Sequence, residues 1–394
     1  MKPTMAQPLA QDYSVVARIA ADDPPGLYFL SNAFTRLPSG TFVAALPRTI
    51  RHSPKATGIK LDISDKASVG GVTVSRSTDS GETWQIVSLV PFPETVEIAL
   101  FAYGNKLYMF IGPRAEGPGR LLVAVSEDEG ASWSVPVEVL NGPHQWYCTH
   151  QQSMVVRSGR LYWAVSERCR KLAVVSCELE KGALDPEAWR VSDTEEMPIP
   201  PELNPGLFQG PSMRCLEGNV IQIGSRLRVM ARAVIDRQGT ANMAAVFDLQ
   251  DEDGKLKLTF TQFYPLPGGQ CKFYMVYDEP SRLYWMASNL PANSQNALRL
   301  EYDEASTGMP GNDRRFLMLW YACDALNWFP AGCIARAEKL TQSFMYPSLI
   351  IDGDHLAVLS RTCLHSGHFH DADLATFHYV RDFRSLAMNI WPVF

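Results

Sequence analysis

Two stretches share one pattern: Ser77-Thr78-Asp79-Ser80-Gly81-Glu82-Thr83-Trp84 and Ser126-Glu127-Asp128-Glu129-Gly130-Ala131-Ser132-Trp133. Both read S-x-D-x-G-x-[ST]-W, and they start 49 residues apart. The chemistry of that pattern is a tight hairpin turn. The Asp side chain bonds back to the turn backbone, Gly supplies a positive φ, and Trp packs beneath the turn as a plug. Asp324-Ala325-Leu326-Asn327-Trp328 reads as a degenerate third copy that has lost its Gly.

Around these turns runs a longer period. A turn followed by a short apolar and aromatic run recurs at Gly40–Ala44, Asn105–Met109, Gly159–Trp163, Ser225–Val229, Ser281–Trp285 and Asp354–Val358. The six copies lie 54 to 73 residues apart, and each has the β-branched and aromatic content of a strand. Six such units predict an all-β toroid, a six-bladed propeller of four-stranded antiparallel blades spanning 1–394 as one domain. A seventh blade is the alternative if the interval 285–354 hides one. The segment Tyr13 to Ile19 is expected to close the last blade beside Phe377 to Val380. Helical signals are few: Asp185-Pro186-Glu187-Ala188-Trp189 predicts a single turn with Pro just inside its start. Pro198 to Pro211 reads as a rim loop, and Asp251 to Lys257 as a charged outer hairpin.

Composition narrows the partners. The chain has 394 residues, is 46% hydrophobic and 20% charged, and carries a net charge of −6. That balance suits a globular protein and supplies no basic surface for nucleic acid or an anionic membrane. No run of eighteen apolar residues predicts a membrane span. The first twenty residues hold one Lys and no apolar core, so no signal peptide is read and a cytoplasmic location is expected. Eight cysteines, Cys148, Cys169, Cys177, Cys215, Cys271, Cys323, Cys333 and Cys363, follow no framework spacing and are expected to be buried free thiols.

The Asp boxes and the strand period resemble the sialidase-like propeller superfamily, and in particular a bacterial group of exo-sialidase-like chains. The latter likeness rests on Leu216–Val220, Pro267–Phe273 and His370–His378. Members of the superfamily use a Tyr nucleophile activated by a Glu, an Asp acid/base and three Arg on the substrate carboxylate. Carried over by position, the resemblance implies Glu217 as the Glu, starting a strand that ends in Met230-Ala231-Arg232, with Arg232 as the second Arg. It implies Arg314 as the third Arg and Tyr346, just before an inner strand, as the nucleophile. Two positions depart from the pattern. Leu30 or Ser31 stands where the first Arg belongs, and Gly70 and Gly71 stand where the Asp belongs, with Asp62 and Asp65 out of register.

Other residues offer substitutes. His150, in Trp146-Tyr147-Cys148-Thr149-His150, precedes the inner strand of the third repeat and suits proton transfer at a channel mouth. Arg361, read as ending an inner strand, and His370 are candidates to bind substrate, as is Tyr147. Trp146, Tyr147, Trp285 and Phe344 suit stacking on sugar rings. Cys363, His365, His368 and His370 invite a zinc reading, but no metal spacing fits, and hydrogen bonding to sugar hydroxyls is favoured. No cofactor is expected. The leading expectation is an enzyme that cleaves a terminal acidic sugar from a glycan. Uronate lyases on the same propeller shape, which use His and Tyr with Arg on the uronate, give a second reading, and a non-catalytic glycan-binding propeller gives a third. The oligomeric state is left open.

Overall fold

The computed structural model describes residues 7–50, 71–92, 94–114, 117–145, 147–167, 170–198, 214–235, 242–292, 307 and 310–389. They form six antiparallel sheets arranged as the blades of a propeller. Blade 1 begins with Leu27–Phe29 and Ala33–Arg36, blade 2 with Val96–Tyr103, and blade 3 with Tyr147–Cys148 and Val155–Arg157. Blades 4, 5 and 6 begin with Arg214–Ile223, Tyr274–Asp278 and Ser343–Asp352. These first strands line the central channel. The six recurring sequence runs form the second strands, from Phe42–Ile50 in blade 1 to His355–Cys363 in blade 6. The interval 285–354 holds the outer half of blade 5 and the inner strand of blade 6, so the blades number six.

Side-chain alternation explains why the second strands are apolar on both faces. In Arg160–Glu167, Leu161, Trp163 and Val165 pack toward blade 2, while Tyr162 and Ala164 pack toward blade 4. Each of the six apolar clusters lies between one consecutive pair of blades. The core is thus distributed around the ring, and a fully buried side chain such as Phe110 contributes about 1.5–3 kcal/mol. Buried amides add stitches between blades. Asn32 Nδ2 donates to the Leu359 carbonyl at 3.3 Å, Asn219 Nδ2 to Phe273 at 3.2 Å and Asn289 Nδ2 to Phe344 at 2.7 Å.

Both Asp boxes adopt the expected turn. Asp79 Oδ1 accepts from the Thr83 amide at 2.9 Å, the Gly81 amide donates to Ser77 Oγ at 2.9 Å, and Trp84 Nε1 donates to the Gly81 carbonyl at 3.1 Å. Asp128, Ser132, Ser126, Gly130 and Trp133 repeat this set. These bonds hold the Asp79 and Asp128 carboxyls down at about 2. In the degenerate copy Asp324 still accepts from the Leu326 and Asn327 amides, and Ala325 takes the positive φ.

The ring closes as the sequence implies: Ser14–Arg18 adds to Leu374–Val380 as the outer strand of blade 6. The helical turn is a 3-10 turn at Pro186–Ala188, capped by Asp185. The charged hairpin joins Met243–Glu252 to Lys255–Pro265. Most of the rim loop Pro198 to Pro211, together with Asp62, Asp65 and Trp146, lies outside the described residues. One expectation fails. Six described cysteines are free, but Cys148 is disulfide-bonded. Its distance from every other Cys in sequence gave no spacing signal, and the bond is uncommon in a reducing compartment. Among the described residues, no helix is long and apolar enough to cross a membrane.

Candidate active site

Two inner strands carry matching irregularities near the same end of the channel. The register of Arg214–Ile223 against its neighbour slips between Leu216 and Asn219, and that of Ser343–Asp352 slips between Met345 and Ser348. At these bulges Glu217 and Tyr346 hold φ of 56° and 53°. A non-glycine residue in that region carries a conformational cost of about 1–3 kcal/mol, which sites tolerate when the side chain must point where a regular strand would not put it. A Cβ on Gly218 would lie 2.6 Å from Val229 Cγ1, so only glycine lets the Glu217 bulge sit against the second strand. Glu217 therefore lies inside an inner strand, and Arg232 lies on the next strand, opposite Leu216. The single-strand reading of that pair is corrected by the turn at 224–225.

Tyr346 is the hub. The Arg361 guanidinium lies 4.9 Å from its ring centre, that of Arg314 5.2 Å and the Lys272 ammonium 5.7 Å. The His150 ring meets it edge-on at 5.6 Å, and His370 at 6.4 Å. Arg232 pairs with Glu217 at 3.0 Å, donates to the Gln270 carbonyl at 2.6 Å and lies in electrostatic range of Tyr346. The sequence-derived set of Glu217, Arg232, Arg314, Tyr346, His150, Arg361 and His370 is thus brought together. Tyr147 has its backbone in the blade 3 inner strand opposite Glu167, and its side chain lies outside the described part.

Arg361 is not at the end of an inner strand. It lies within the second strand of blade 6, opposite Met345, because the sequence run His355–Cys363 is that second strand. From there it donates to the Leu30 carbonyl of blade 1 and to the His370 carbonyl. A guanidinium of the last blade thus reaches the backbone at Leu30, the position where the resemblance led an Arg to be expected. Burial lowers the Arg361 pKa, with the Tyr346 and Tyr28 hydroxyls acting against that. Arg314 has no carboxylate contact among its described bonds. One terminal nitrogen meets Met345 Sδ at 3.1 Å, another meets Asn312 Oδ1 at 3.4 Å, and buried Nε is unpartnered.

Glu217 keeps its charge. Burial alone would raise its pKa, but Arg232, His150 and Lys272 together hold it below the usual carboxylate value. Its Oε2 accepts from Arg232, while Oε1 is buried without a partner. His150 is held below the ordinary imidazole pKa, chiefly by burial and against the pull of Glu97 and Glu217. Its Nε2 lies 3.4 Å from Glu97 Oε1, and its Nδ1 is unpartnered.

Two buried charged residues beside this cluster escaped the sequence reading. Lys272 is 1% exposed, donates to the Pro347 carbonyl at 3.0 Å, and is pushed by burial to about 7. Glu97, 1% exposed in Val96–Tyr103, accepts from the Thr149 amide at 3.1 Å and lies 3.4 Å from Arg114 Nε. The signal for each was a lone charge inside a run that otherwise reads as buried strand: Val96-Glu97-Ile98 and Cys271-Lys272-Phe273.

Other expectations are corrected or relocated. Trp285 and Phe344 are 0% and 1% exposed and pack between blades 5 and 6, so neither can stack on a sugar. Their strand parity turns them toward the neighbouring blade. The histidines of the 365–370 loop go separate ways: His365 to Asp373 at 2.7 Å, His368 toward Asp371 at 3.5 Å, and His370 Nδ1 to Arg361 at 3.1 Å. Among the described residues no three His, Cys, Asp or Glu side chains converge as a metal site would need. A cavity of about 570 Å³ opens at the other end of the channel, lined by Gln222, Tyr274, Tyr277, Glu279 and Tyr284. Ser153, bonded to Asn219 Oδ1 at 3.0 Å and to the Met275 carbonyl, is part of its lining, and none of the residues gathered around Tyr346 is.

No known family profile matches the chain, and no curated protein is similar to it in sequence. Solved structures do share its fold. A Trypanosoma rangeli sialidase in complex with sialic acid superimposes with a TM-score of 0.54 at 17% identity, over 90% of this chain and 54% of that one. A Hadza microbial sialidase gives 0.57 at 16% identity, over 94% and 68%. A mutant α-L-arabinofuranosidase of Fusarium graminearum, with an iminosugar inhibitor, gives 0.54 at 12% identity, over 95% and 98%. The chain spans little more than half the length of the trypanosomal enzyme. The fold is that of the sialidase-like six-bladed propellers.

Proposed function

We propose that this propeller cleaves the bond to a terminal acidic sugar, sialic-acid-like or uronate, on a glycan held at the Tyr346 mouth. The observation that carries this reading is the ring of cations around Tyr346. Arg314 and Arg361 supply positive charge whose described bonds go to neutral groups, and Arg232 stands beside them paired with Glu217. A buried guanidinium without a counter-ion is costly, and a substrate carboxylate offsets that cost. In this reading Tyr346 attacks the anomeric carbon as nucleophile and Glu217, whose buried Oε1 has no hydrogen-bond partner, takes the phenol proton. His150 exchanges the proton of the leaving oxygen and later of the attacking water, in place of the family Asp. The solved propellers with sialic acid or an iminosugar are consistent with a glycan ligand.

Elimination from a uronate is the second reading, favoured by one observation. His150 is held neutral near pH 7 with Nδ1 unpartnered, which is the state a base needs. The two readings give opposite pH profiles. Glycosidic cleavage needs imidazolium, so its kcat/KM falls as pH rises through the His150 pKa, below 6.5. Elimination needs imidazole and is lost as pH falls through the same value. The test is a panel of sialosides and uronate glycans assayed for released sugar and for an unsaturated product absorbing near 230 nm. Tyr346→Phe is expected to lower kcat by on the order of 10³ or more. Sugar release at the wild-type rate by that variant would remove Tyr346 from the mechanism, and no turnover with tight binding would make this a glycan-binding propeller.

A further inference from the structure

We propose that Glu97 is a positioning residue for His150, reaching from blade 2 to fix the blade 3 imidazole with Nε2 facing its carboxylate, so that Nδ1 is the nitrogen that exchanges the proton. The inference rests on the role given to His150 above and extends it to a residue and an atom.

The geometry carries it. Glu97 is almost fully buried: its Oε2 accepts from the Thr149 amide at 3.1 Å, and its Oε1 lies within ion-pair distance of His150 Nε2 and of Arg114 Nε, each at 3.4 Å. Thr149 Oγ1 donates to the Glu97 carbonyl at 2.6 Å, so the residue before His150 is clamped to the same strand from two sides. A nitrogen that faces a carboxylate oxygen is the one that carries the proton, because a lone pair there would be repelled. The neutral imidazole is thereby committed to the Nε2–H tautomer, and its other nitrogen is left without a partner in a buried setting. This is the logic by which a carboxylate orients a catalytic imidazole, realised here across a blade junction. The groups facing His150 are Glu97 from blade 2, Arg114 at the end of the next strand, Glu217 from blade 4, Lys272 ahead of blade 5 and Tyr346 from blade 6. The carboxylates favour imidazolium, and Lys272 and Arg114 oppose it.

The experiment is histidine-side-chain NMR on the full chain, with ¹⁵N shifts reporting the tautomer and a pH titration reporting the midpoint, His150 being assigned by its loss in His150→Gln. Wild type is expected to show Nε2 protonated and Nδ1 bare. Glu97→Gln, which keeps the shape, is expected to move the midpoint down by about one unit, a tenfold change in proton affinity, and to mix the tautomers. Arg114→Gln, on a partly exposed side chain, is expected to move it up. Equal midpoints and tautomers in wild type and both variants would overturn the proposal, as would an Nδ1-protonated wild type. None of this needs a substrate, so absence of glycosidase or lyase activity would sink the reading of the reaction and leave the assignment of Glu97 standing. Where activity is found, Glu97→Gln is expected to lower kcat at least tenfold with KM within twofold and to displace the pH profile with the NMR midpoint.

Discussion

Lys272 shows what the site costs. An ammonium held 1% exposed, with the Pro347 carbonyl as its one close acceptor among the described residues and Glu217 in electrostatic range, is a charge that folding removes from water. Its pKa falls from the ordinary 10.5 to about 7. The unfolded chain therefore binds the proton across the window between those values while the native state does not, and native stability rises with pH through it. Below about 7 both states are charged, and the native state bears the full burden. Lys272→Met is thus expected to stabilise the fold most at pH 6. The advantage should shrink by about 1.4 kcal/mol per pH unit from 7 upward. Urea melts at pH 6 and pH 9 measure this, and a variant less stable than wild type at pH 6 would contradict it. The same variant is expected to weaken turnover, since Lys272 secures the carbonyl that follows Tyr346 and adds charge beside it.

At the scale of the element, the Asp-box turn does more than reverse the chain. A Cβ on Gly81 would lie 2.1 Å from Cε1 of Phe377, in the strand of blade 6 that receives the closing N-terminal segment. Ser14 Oγ donates to the Gly81 carbonyl, and Trp84 Nε1 donates to Ser14 Oγ at 3.1 Å. Glycine is required there by a φ of 87° and by this contact together. Gly81→Ala is expected to cost on the order of 2–4 kcal/mol, overpacking plus backbone strain, read as a fall in the urea midpoint. A loss below about 1 kcal/mol would mean that the turn does not bear on closure. These elements were legible because the partners of each Asp box lie within eight residues, and because a strand buried on both faces has an unmistakable composition. The bulges were not. The orientation of Glu217 and Tyr346 depends on slipped register against the next strand, which no local pattern encodes. Strand parity likewise decided that Trp285 and Phe344 face a neighbouring blade, and one strand of misplacement moved Arg361 inward. Lys272 and Glu97 stayed unread because the partners that tie them to the cluster lie 50 or more residues away, Thr149 and His150 for Glu97 and Pro347 for Lys272, with Arg114 alone nearer in sequence.

Across the whole molecule, the ring gathers residues of blades 3 to 6 around Tyr346, with Glu97 of blade 2 behind His150, while blade 1 contributes the Leu30 carbonyl that receives Arg361. Closure holds that geometry. Ser14–Arg18 completes blade 6, and the Ala10 carbonyl meets His378 Nδ1 at 2.7 Å, so both chain ends support the blade that carries Tyr346 and Arg361. The two ends of the channel differ. One set of residues gathers Tyr346, Glu217, His150 and the cations, while a separate set, with Ser153 in its lining, forms the tyrosine-lined cavity. On the proposed reading, an acidic sugar binds at the Tyr346 cluster and not in the cavity. A crystal structure with a bound acidic monosaccharide tests this most directly. It is expected to show the carboxylate between Arg314, Arg361 and Arg232, with the anomeric carbon next to the Tyr346 hydroxyl. A sugar seated instead in the tyrosine-lined cavity, or one whose carboxylate contacts none of the three arginines, would contradict the account.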